Sequence, residues 1–407
     1  MKKLESLLLF FLIISQFGHA QVGINATGAL PDASAILDVK SNNKGLLIPR
    51  ISLTSITDNV TIPNPALSLM VFNTNASLPE GSGYYGWNGS MWVLIKALSA
   101  SPVIGANQFF IPVDGVSREF WVHVPISYNP ANPTPLVIML HGTSGNGYKF
   151  YDESGWKELG DEENIITVFP SSGRYDITYI NDGSHKRTTK WNTVPDAEWI
   201  FDPGQTPLDD IKFLKNMITA VKLQLNIDPK RVYLEGFSNG GSMASKCGVE
   251  MSDILAAVCS NAGSFYLDNI TYMPLRLLPM LFQVGNQDYG PGNFGPTVPL
   301  STFEYTLDNQ LPMTVRPAEK NYNVSHSMTR HFALNPAHGS AQIVMNPDST
   351  KEIYRYVDYV GLSGQPNNVY RHIFVDDLAH KFPNEFNFRT YDAPREHWKW
   401  MKQFVLP

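Results

Sequence analysis

The sequence predicts an α/β protein, with a mostly parallel β-sheet covered by helices on both faces and preceded by a small β-rich module. Beyond about residue 107, short continuous apolar runs alternate with helical patterns, which is typical of strands buried on both faces. Before residue 97 the apolar runs are shorter and are separated by Gly, Asn, Ser and Pro. The 407 residues, 43% of them hydrophobic, can fill one large core and a smaller one.

The N-terminus has the pattern of an export signal. Lys2 and Lys3 supply positive charge, an apolar run follows from Leu7 to Ile14, and Ala20 ends a small-residue stretch. We expect cleavage there and a soluble, secreted protein that is extracellular, periplasmic or associated with the cell surface, while an uncleaved membrane anchor is the alternative. The expected segments are a signal peptide (1–20), a β-rich module (21–96), a linker (97–106) and a catalytic domain (107–407).

Composition excludes several classes of partner. The formal charge is −6 without a Lys/Arg run, which argues against nucleic acid and anionic membranes and leaves small or polymeric neutral substrates. No His or Cys cluster has metal-ligand spacing, so we expect neither metal nor cofactor. Cys247 and Cys259 either form one disulfide or are two buried small side chains.

Aromatic residues mark the β-rich module. Residues 84–93 alternate aromatic side chains around an Asn88-Gly89 turn, which predicts a hairpin, and β-type runs lie at 45–49 and 69–73. One hypothesis makes Trp87 and Trp92 stacking platforms for polysaccharide or a cell surface. We favour the other, a spacer or oligomerisation unit whose aromatics pack a small core.

The main domain contains seven candidate strands and two candidate helices. Apolar spacing predicts helices at Pro207–Leu225 and Ala393–Phe404. The candidate strands are Glu119–Val124, Pro135–Leu140, Ile165–Phe169, Arg231–Glu235, Leu255–Ser260, Pro279–Val284 and Val369–Val375.

The segment Gly236-Phe237-Ser238-Asn239-Gly240 indicates a serine nucleophile. This G-x-S-x-G match follows an apolar strand and precedes a stretch of small residues, the strand-turn-helix setting of a nucleophile elbow. Gly236 and Gly240 leave room for the backbone to approach at a strained turn. We therefore predict the α/β-hydrolase fold with Ser238 as nucleophile.

An earlier strand ends in the Gly-rich loop that starts at Gly142. We expect the backbone amides of Thr143 and Asn239 to form the oxyanion hole, because a developing alkoxide needs two preorganised donors. His141 precedes the loop, and chain order in this fold makes it a loop-ordering residue and not the catalytic base.

The acid and the base are expected after later strands. Asp288 follows the strand at 279–284, with Asp376 and Asp377 as weaker substitutes. His380 follows the strand at 369–375, in the order serine, acid, histidine. The histidines that compete with His380, in irregular or strand-interior sequence, are His326, His331, His338 and His372.

Residues 115–404 resemble exported poly(3-hydroxybutyrate) depolymerase-type and feruloyl esterase-type enzymes. The resemblance is carried by the Leu-His-Gly segment at 140–142, the Asp-Asp helix start at 209–210 and the histidine loop at 379–383, where Ala379 and Phe382 replace the usual Gly and Trp and Asn384 replaces a final Gly. It implies that Trp191 and Asn192 bind substrate. Residues 31–39 and 44–50 resemble an N-terminal segment of exported proteins of Bacteroidetes-type bacteria.

The expected activity is carboxylic ester hydrolysis through an acyl-enzyme. The expected substrates are feruloyl or acetyl esters of plant polysaccharide, or a polyhydroxybutyrate-like polyester. We favour carbohydrate esters because the residues predicted near the site are mixed aromatic and amide: Trp191, Asn192, Trp199, Tyr289, Asn293 and Phe382. The alternatives are a serine peptidase of the same fold and a catalytically silent polymer-binding surface protein.

Overall fold

A computed structural model of the chain describes residues 21–78, 81–95, 103–180, 182–193, 198–265, 273–362 and 368–407. The predicted signal peptide and most of the predicted linker lie outside the described residues. The chain divides into two compact units, Met1–Ser99 and Ala100–Pro407. No helix in these described ranges is long and apolar enough to cross a membrane.

The N-terminal unit is built from short strands. They are β1 (Val22–Ile24), β2 (Leu37–Val39), β3 (Arg50–Ile51), β4 (Met70–Asn73), β5 (Gly83–Trp87) and β6 (Trp92–Leu94). The predicted hairpin is present as the antiparallel pair β5 and β6. The run at 45–49 is not a strand, because pairing with β4 begins only at Arg50.

The second unit has thirteen named strands in the part of it that is described. They are β7 (Gly105–Val113), β8 (Val116–Val124), β9 (Thr134–Leu140), β10 (Ile166–Pro170), β11 (Gly173–Tyr179), β12 (His185–Lys190), β13 (Trp199–Phe201), β14 (Ile227–Phe237), β15 (Ala257–Asn261), β16 (Met280–Gly285), β17 (Gln342–Met345), β18 (Glu352–Val360) and β19 (Val369–Val375). All seven predicted strands are among them, within three residues of their predicted starts except β14, which begins four residues early. Gly105 and Ala106, predicted as linker, instead pair with β8 in strand β7.

Helices connect these strands. They are α1 (Gly147–Glu153), α2 (Trp156–Glu163), α3 (Asp210–Gln224), α4 (Asn239–Glu250), α5 (Phe303–Asp308), α6 (Arg316–His331) and α7 (Ala393–Met401). Asp209 caps α3 by accepting from the Lys212 amide, as an Asp at this position favours.

Ten strands form the main sheet, in the order β17-β18-β19-β16-β15-β14-β9-β10-β8-β7. The six central strands pair in parallel; in sheet order they are β19, β16, β15, β14, β9 and β10. The strands at both edges of the sheet are antiparallel to their neighbours. Parallel strands expose their carboxyl ends along one edge, where loops from several strands meet. Strands β11, β12 and β13 form a separate antiparallel sheet.

The main sheet separates two hydrophobic cores. Alternate residues of β9 enter opposite cores, Leu136 and Ile138 one and Val137 and Met139 the other, as the strand period of two requires. Helices α3 to α6 pack on the first face, and α1, α2 and α7 on the second. The protein has the α/β-hydrolase fold, preceded by a small β-rich region, as predicted.

The two cysteines do not pair. Cys247 on α4 belongs to the first core, whereas Cys259 on β15 points into the second. Both are free and fully buried. The sheet therefore separates them, and of the two hypotheses the one with two buried small side chains describes the structure.

Candidate active site

Ser238 lies in a strained turn between β14 and α4. Its backbone has φ 56° and ψ −121°, a combination that residues with a side chain rarely adopt. A Cβ on Gly236 would lie 2.0 Å from the Gly240 carbonyl oxygen, and one on Gly240 would lie 2.4 Å from that of His141. The two glycines permit the tight turn that presents Ser238 above the sheet.

Ser238, His380 and Asp288 form one hydrogen-bonded chain. The His380 Nε2 atom lies 2.9 Å from the Ser238 Oγ, and the His380 Nδ1 lies 2.8 Å from the Asp288 Oδ1. Because Nδ1–H donates to the carboxylate, Nε2 has a lone pair for the serine hydroxyl proton. This arrangement can activate the hydroxyl as a nucleophile.

Asp288 is fully buried yet ionised. Burial alone would raise the pKa of the Asp288 carboxyl, but the charge of Lys320, the His380 contact and the Gly290 amide outweigh burial and hold that pKa below its usual value. The amide of Gly290 donates to Asp288 Oδ1 over 3.0 Å.

The two substitute acids are engaged elsewhere. Asp376 accepts a hydrogen bond from the Asn286 side chain over 2.8 Å, and Asp377 accepts one from the Gln287 side chain over 3.1 Å. Of the three carboxylates considered from the sequence, Asp288 is the one that accepts a hydrogen bond from His380.

The donors expected for an oxyanion flank the serine. Asn239 is the first residue of α4, where the backbone N–H has no partner within the helix. Thr143 follows the end of β9 and lines the same cleft as Ser238 and Asn239. The side-chain oxygen of Asn239 accepts from the Trp191 amide over 2.7 Å, which fixes the start of the helix.

His141 orders the loop that carries Thr143. Its Nδ1 lies 2.7 Å from the Gly142 carbonyl oxygen, and its Nε2 accepts from the Ser172 amide over 3.0 Å. Complete burial lowers the pKa of His141 to about 4, so the ring is neutral near pH 7. Both nitrogens are occupied by backbone, in agreement with the loop-ordering role expected from the sequence.

Trp191 and Asn192, the two residues expected to bind substrate, are not among the residues that line the cleft of Ser238. Trp191 is fully buried, and its indole donates to the His141 carbonyl oxygen over 2.8 Å, so it supports the β9 end and does not face the substrate. The Asn192 side chain donates to the Leu208 carbonyl oxygen over 3.2 Å. The substrate-binding assignment of these two residues is therefore not supported by their positions.

Two cavities meet at His380 and Thr143. The larger, of about 580 Å³, includes Ser238 and is mainly polar. Its charged side chains are Asp182, Lys186, Lys190, Glu198, Arg316 and Lys320. The smaller, of about 240 Å³, contains three aromatic side chains: Phe150, Phe237 and Phe382. We call them the polar cleft and the aromatic pocket.

Several of these lining residues were missed from the sequence. Phe237 adjoins Ser238 in the motif and could have been found from that neighbourhood alone. Lys320 and Arg316 come from α6, in the long stretch between acid and histidine, where no sequence signal connects them to Ser238. Trp199 and Asn293, expected near the site, do line the polar cleft, whereas the Tyr289 hydroxyl donates to Pro296.

The two tryptophans of the N-terminal unit are not exposed platforms. Trp87 and Trp92 are 8% and 1% exposed, pack edge to face with centroids 5.3 Å apart, and the Trp92 indole donates to the Asp58 carbonyl oxygen. The stacking-platform hypothesis is therefore wrong, because both rings fill the small core of this unit.

Comparison with known proteins gives a different result for each unit. Residues 23–106 match a family model described as a phage tail like trimerisation region. Feruloyl esterase B of Piromyces equi is 34% identical over 174 residues, 42% of this chain and 29% of that protein. Poly(3-hydroxyalkanoate) depolymerase C of Paucimonas lemoignei is 28% identical over 176 residues, 42% of this chain and 38% of that protein.

The matched segments span less than half the length of these two relatives. Among solved structures, an acetyl xylan esterase from Aspergillus awamori aligns over 73% of this chain and 99% of its own, with 13% identity and a TM-score of 0.45. The resemblance of the second unit to feruloyl esterase-type and depolymerase-type enzymes, expected from its motifs, is confirmed by the sequence relatives.

Proposed function

We propose that the second unit is a carboxylic ester hydrolase in which Ser238 is the nucleophile, His380 the general base and Asp288 the orienting acid. The observation that carries the proposal is the hydrogen-bonded chain from Ser238 through His380 to Asp288, which opens on the polar cleft. The relatives named as a feruloyl esterase and a poly(3-hydroxyalkanoate) depolymerase support the same reaction class.

The reaction follows from these positions. Ser238 Oγ attacks the ester carbonyl while His380 Nε2 takes its proton, and the amides of Thr143 and Asn239 stabilise the oxyanion. His380 then protonates the departing alkoxide, which leaves an acyl-serine. Water, deprotonated by His380, then attacks the acyl-enzyme, and His380 passes that proton to Ser238 Oγ as the acyl–serine bond breaks and the acid is released.

The alternatives use the same residues differently. A peptidase would need the same nucleophile and base. The relatives, named as a feruloyl esterase and a poly(3-hydroxyalkanoate) depolymerase, favour esters over amides. A silent binding protein would have no need for a strained serine within hydrogen-bond distance of His380.

We propose esters carried on carbohydrate as substrates, in preference to a solid polyester. The polar cleft offers charged and amide groups for sugar hydroxyls, and the aromatic pocket next to His380 suits a compact apolar acyl group. Adsorption to a polyester requires an extended exposed apolar surface, and the cleft lining is mainly polar.

A direct comparison of substrates tests this proposal. The purified protein and its Ser238→Ala variant are assayed on methyl ferulate, acetylated xylan and a polyhydroxybutyrate suspension. We expect wild type to release ferulate or acetate and the variant to release neither. Clearing of the polyester without release of ferulate or acetate would overturn the substrate class, and no hydrolysis of any ester would overturn the function.

We propose a second role, assembly of three chains, for the N-terminal unit. Residues 22–47 leave large apolar side chains exposed, among them Ile36 at 81% and Leu47 at 75%. The match to a trimerisation family supports other copies of the chain as the partners that cover these side chains. Light scattering should give three times the chain mass, and a monomer at micromolar concentration would contradict this role.

We also propose export directed by residues 1–20, so the secreted protein should begin at Gln21.

A further inference from the structure

A buried lysine adjoins the acid of the candidate triad. Lys320 is on α6, its side chain is 7% exposed, and its Nζ lies 3.8 Å from the Asp288 Oδ2. The same Nζ donates to the Ala262 carbonyl oxygen over 2.9 Å, at the end of β15. Lys320 therefore contacts both the loop after β15, through Ala262, and the loop after β16, which carries Asp288.

The two carboxylate oxygens of Asp288 have different surroundings. Oδ1 accepts from His380 and from the Gly290 amide, whereas Oδ2 is buried without a hydrogen-bond partner among the described residues. A buried carboxylate is stable only when it is compensated by opposite charge or hydrogen bonds. On the Oδ2 side this compensation comes from Lys320.

Helix α6 holds Lys320 firmly in place. The neighbouring Asn321 donates to Thr306 over 2.9 Å and accepts from the His372 Nε2 over 2.9 Å. The Tyr370 hydroxyl lies 2.7 Å from the other nitrogen of His372, and burial lowers the pKa of His372 to about 3, so this ring is neutral. These bonds fasten α6 to β19 and limit the movement of Lys320.

We propose that Lys320 is a positioning residue for ester hydrolysis, keeping Asp288 ionised and directed at His380 and disfavouring the imidazolium form of His380. This proposal rests on the proposed function and deepens it. The side chains of Lys320, Asp288 and His380 together carry a net charge of zero when the His380 imidazole is neutral and of +1 when it is protonated. Without the charge of Lys320, the net charges of these two states become −1 and zero, which favours protonation of His380.

Other charged groups surround the cluster. On α6 these are Arg316, which pairs with Glu198, and Glu319, whose pKa is raised by burial. On the neighbouring strands, loops and helices they are Lys149, Glu153, Asp182, Lys186, Lys190, Asp376, Asp377 and Lys381. All of them remain in a Lys320 variant, so a comparison of variants isolates the charge of Lys320.

The test is the pH profile of kcat/KM on an aryl acetate. Lys320→Met removes the charge at nearly constant length, Lys320→Arg retains it, and Lys157→Met removes a part-buried lysine of α2 as a matched control. In Lys320→Met we expect the acid limb to move to higher pH by about one unit, with KM within about twofold. In Lys320→Arg and Lys157→Met the acid limb should stay at the wild-type pH.

A second measurement does not depend on turnover. The titration of labelled His380 is followed by NMR in Ser238→Ala with and without Lys320→Met, and its midpoint should move upward when Lys320 is lost. Lys320→Gln replaces the methionine variant if the latter does not fold. An unchanged acid limb and midpoint in a folded variant would overturn the role of Lys320 while leaving esterase activity intact. Absence of wild-type hydrolysis would instead contradict the proposed function.

Discussion

Two buried carboxylate–histidine pairs lie near the carboxyl end of β14, and of these two the pair at Ser238 opens on a cleft. Asp288 accepts from His380 Nδ1 over 2.8 Å, and Glu235 accepts from His397 Nδ1 over 2.7 Å. The second nitrogen of each ring is also engaged at 2.9 Å, that of His380 by Ser238 and that of His397 by Tyr391. The local chemistry of the two pairs is therefore nearly the same.

Their surroundings differ. His397 is fully buried, and Glu235 also accepts from the Trp156 indole over 3.0 Å and from the Asn261 amide over 2.5 Å. These bonds connect β14 with β15, α2 and the C-terminal helix. The Asp288–His380 pair instead meets a strained serine, backbone donors and two cavities. Access to a cleft and a strained serine presented above the sheet, more than the pair itself, therefore separate a candidate catalytic site from a structural one.

Loss of the accessible histidine should have the largest effect. His380→Ala removes the base, so we expect kcat on an aryl acetate to fall by about 10⁴-fold or more, with an unfolding temperature close to wild type. Steady-state kinetics and calorimetry on the same preparation measure both quantities. Near wild-type kcat in this variant would remove the distinction between the two pairs.

Loss of the acid should have a smaller effect. Asp288→Asn leaves His380 without its orienting carboxylate, and we expect kcat to fall by about 10²- to 10⁴-fold. Asp376→Asn and Asp377→Asn serve as controls and should stay near the wild-type rate. If either control loses activity while Asp288→Asn keeps it, another carboxylate is the acid.

The interior pair should affect stability and leave turnover unchanged. His397→Leu removes one of the three donors to the buried Glu235 carboxylate, which should cost about 3–5 kcal/mol in the free energy of unfolding. Urea unfolding followed by tryptophan fluorescence measures this loss. We expect kcat per folded molecule within about threefold of wild type, and a large fall in kcat with unchanged stability would contradict the structural role.

The smallest effect is expected from removal of the N-terminal unit. A chain that starts at Pro102 should hydrolyse soluble esters within about twofold of the full chain, because the two units form separate compact bodies. Its mass by light scattering should fall from that of a trimer to that of a monomer. Loss of soluble-ester activity would show that the N-terminal unit completes the active site.

The sequence predicted those features that local physics decides. The central strands are continuous apolar runs, and Gly236 and Gly240 mark a turn that only glycine permits, so fold class and candidate nucleophile could be predicted. The roles of Ser238, His380 and Asp288 remain predictions, although the structure brings the three together. The positions of Trp191 and Lys320 depend on tertiary packing. The Trp191 indole N–H donates to the His141 carbonyl oxygen, and α6 places Lys320 beside Asp288, so both contacts join residues far apart in the sequence.

Labelling with a fluorophosphonate tests the central claim most directly, because the reagent forms a stable bond only with an activated serine. The labelled protein is digested and the adduct is located by mass spectrometry, with Ser238→Ala and His380→Ala as controls. We predict one adduct, on Ser238, formed in step with the loss of ester hydrolysis, none in Ser238→Ala, and much slower labelling in His380→Ala. An unlabelled Ser238 in an active preparation, or undiminished hydrolysis by Ser238→Ala, would contradict the account.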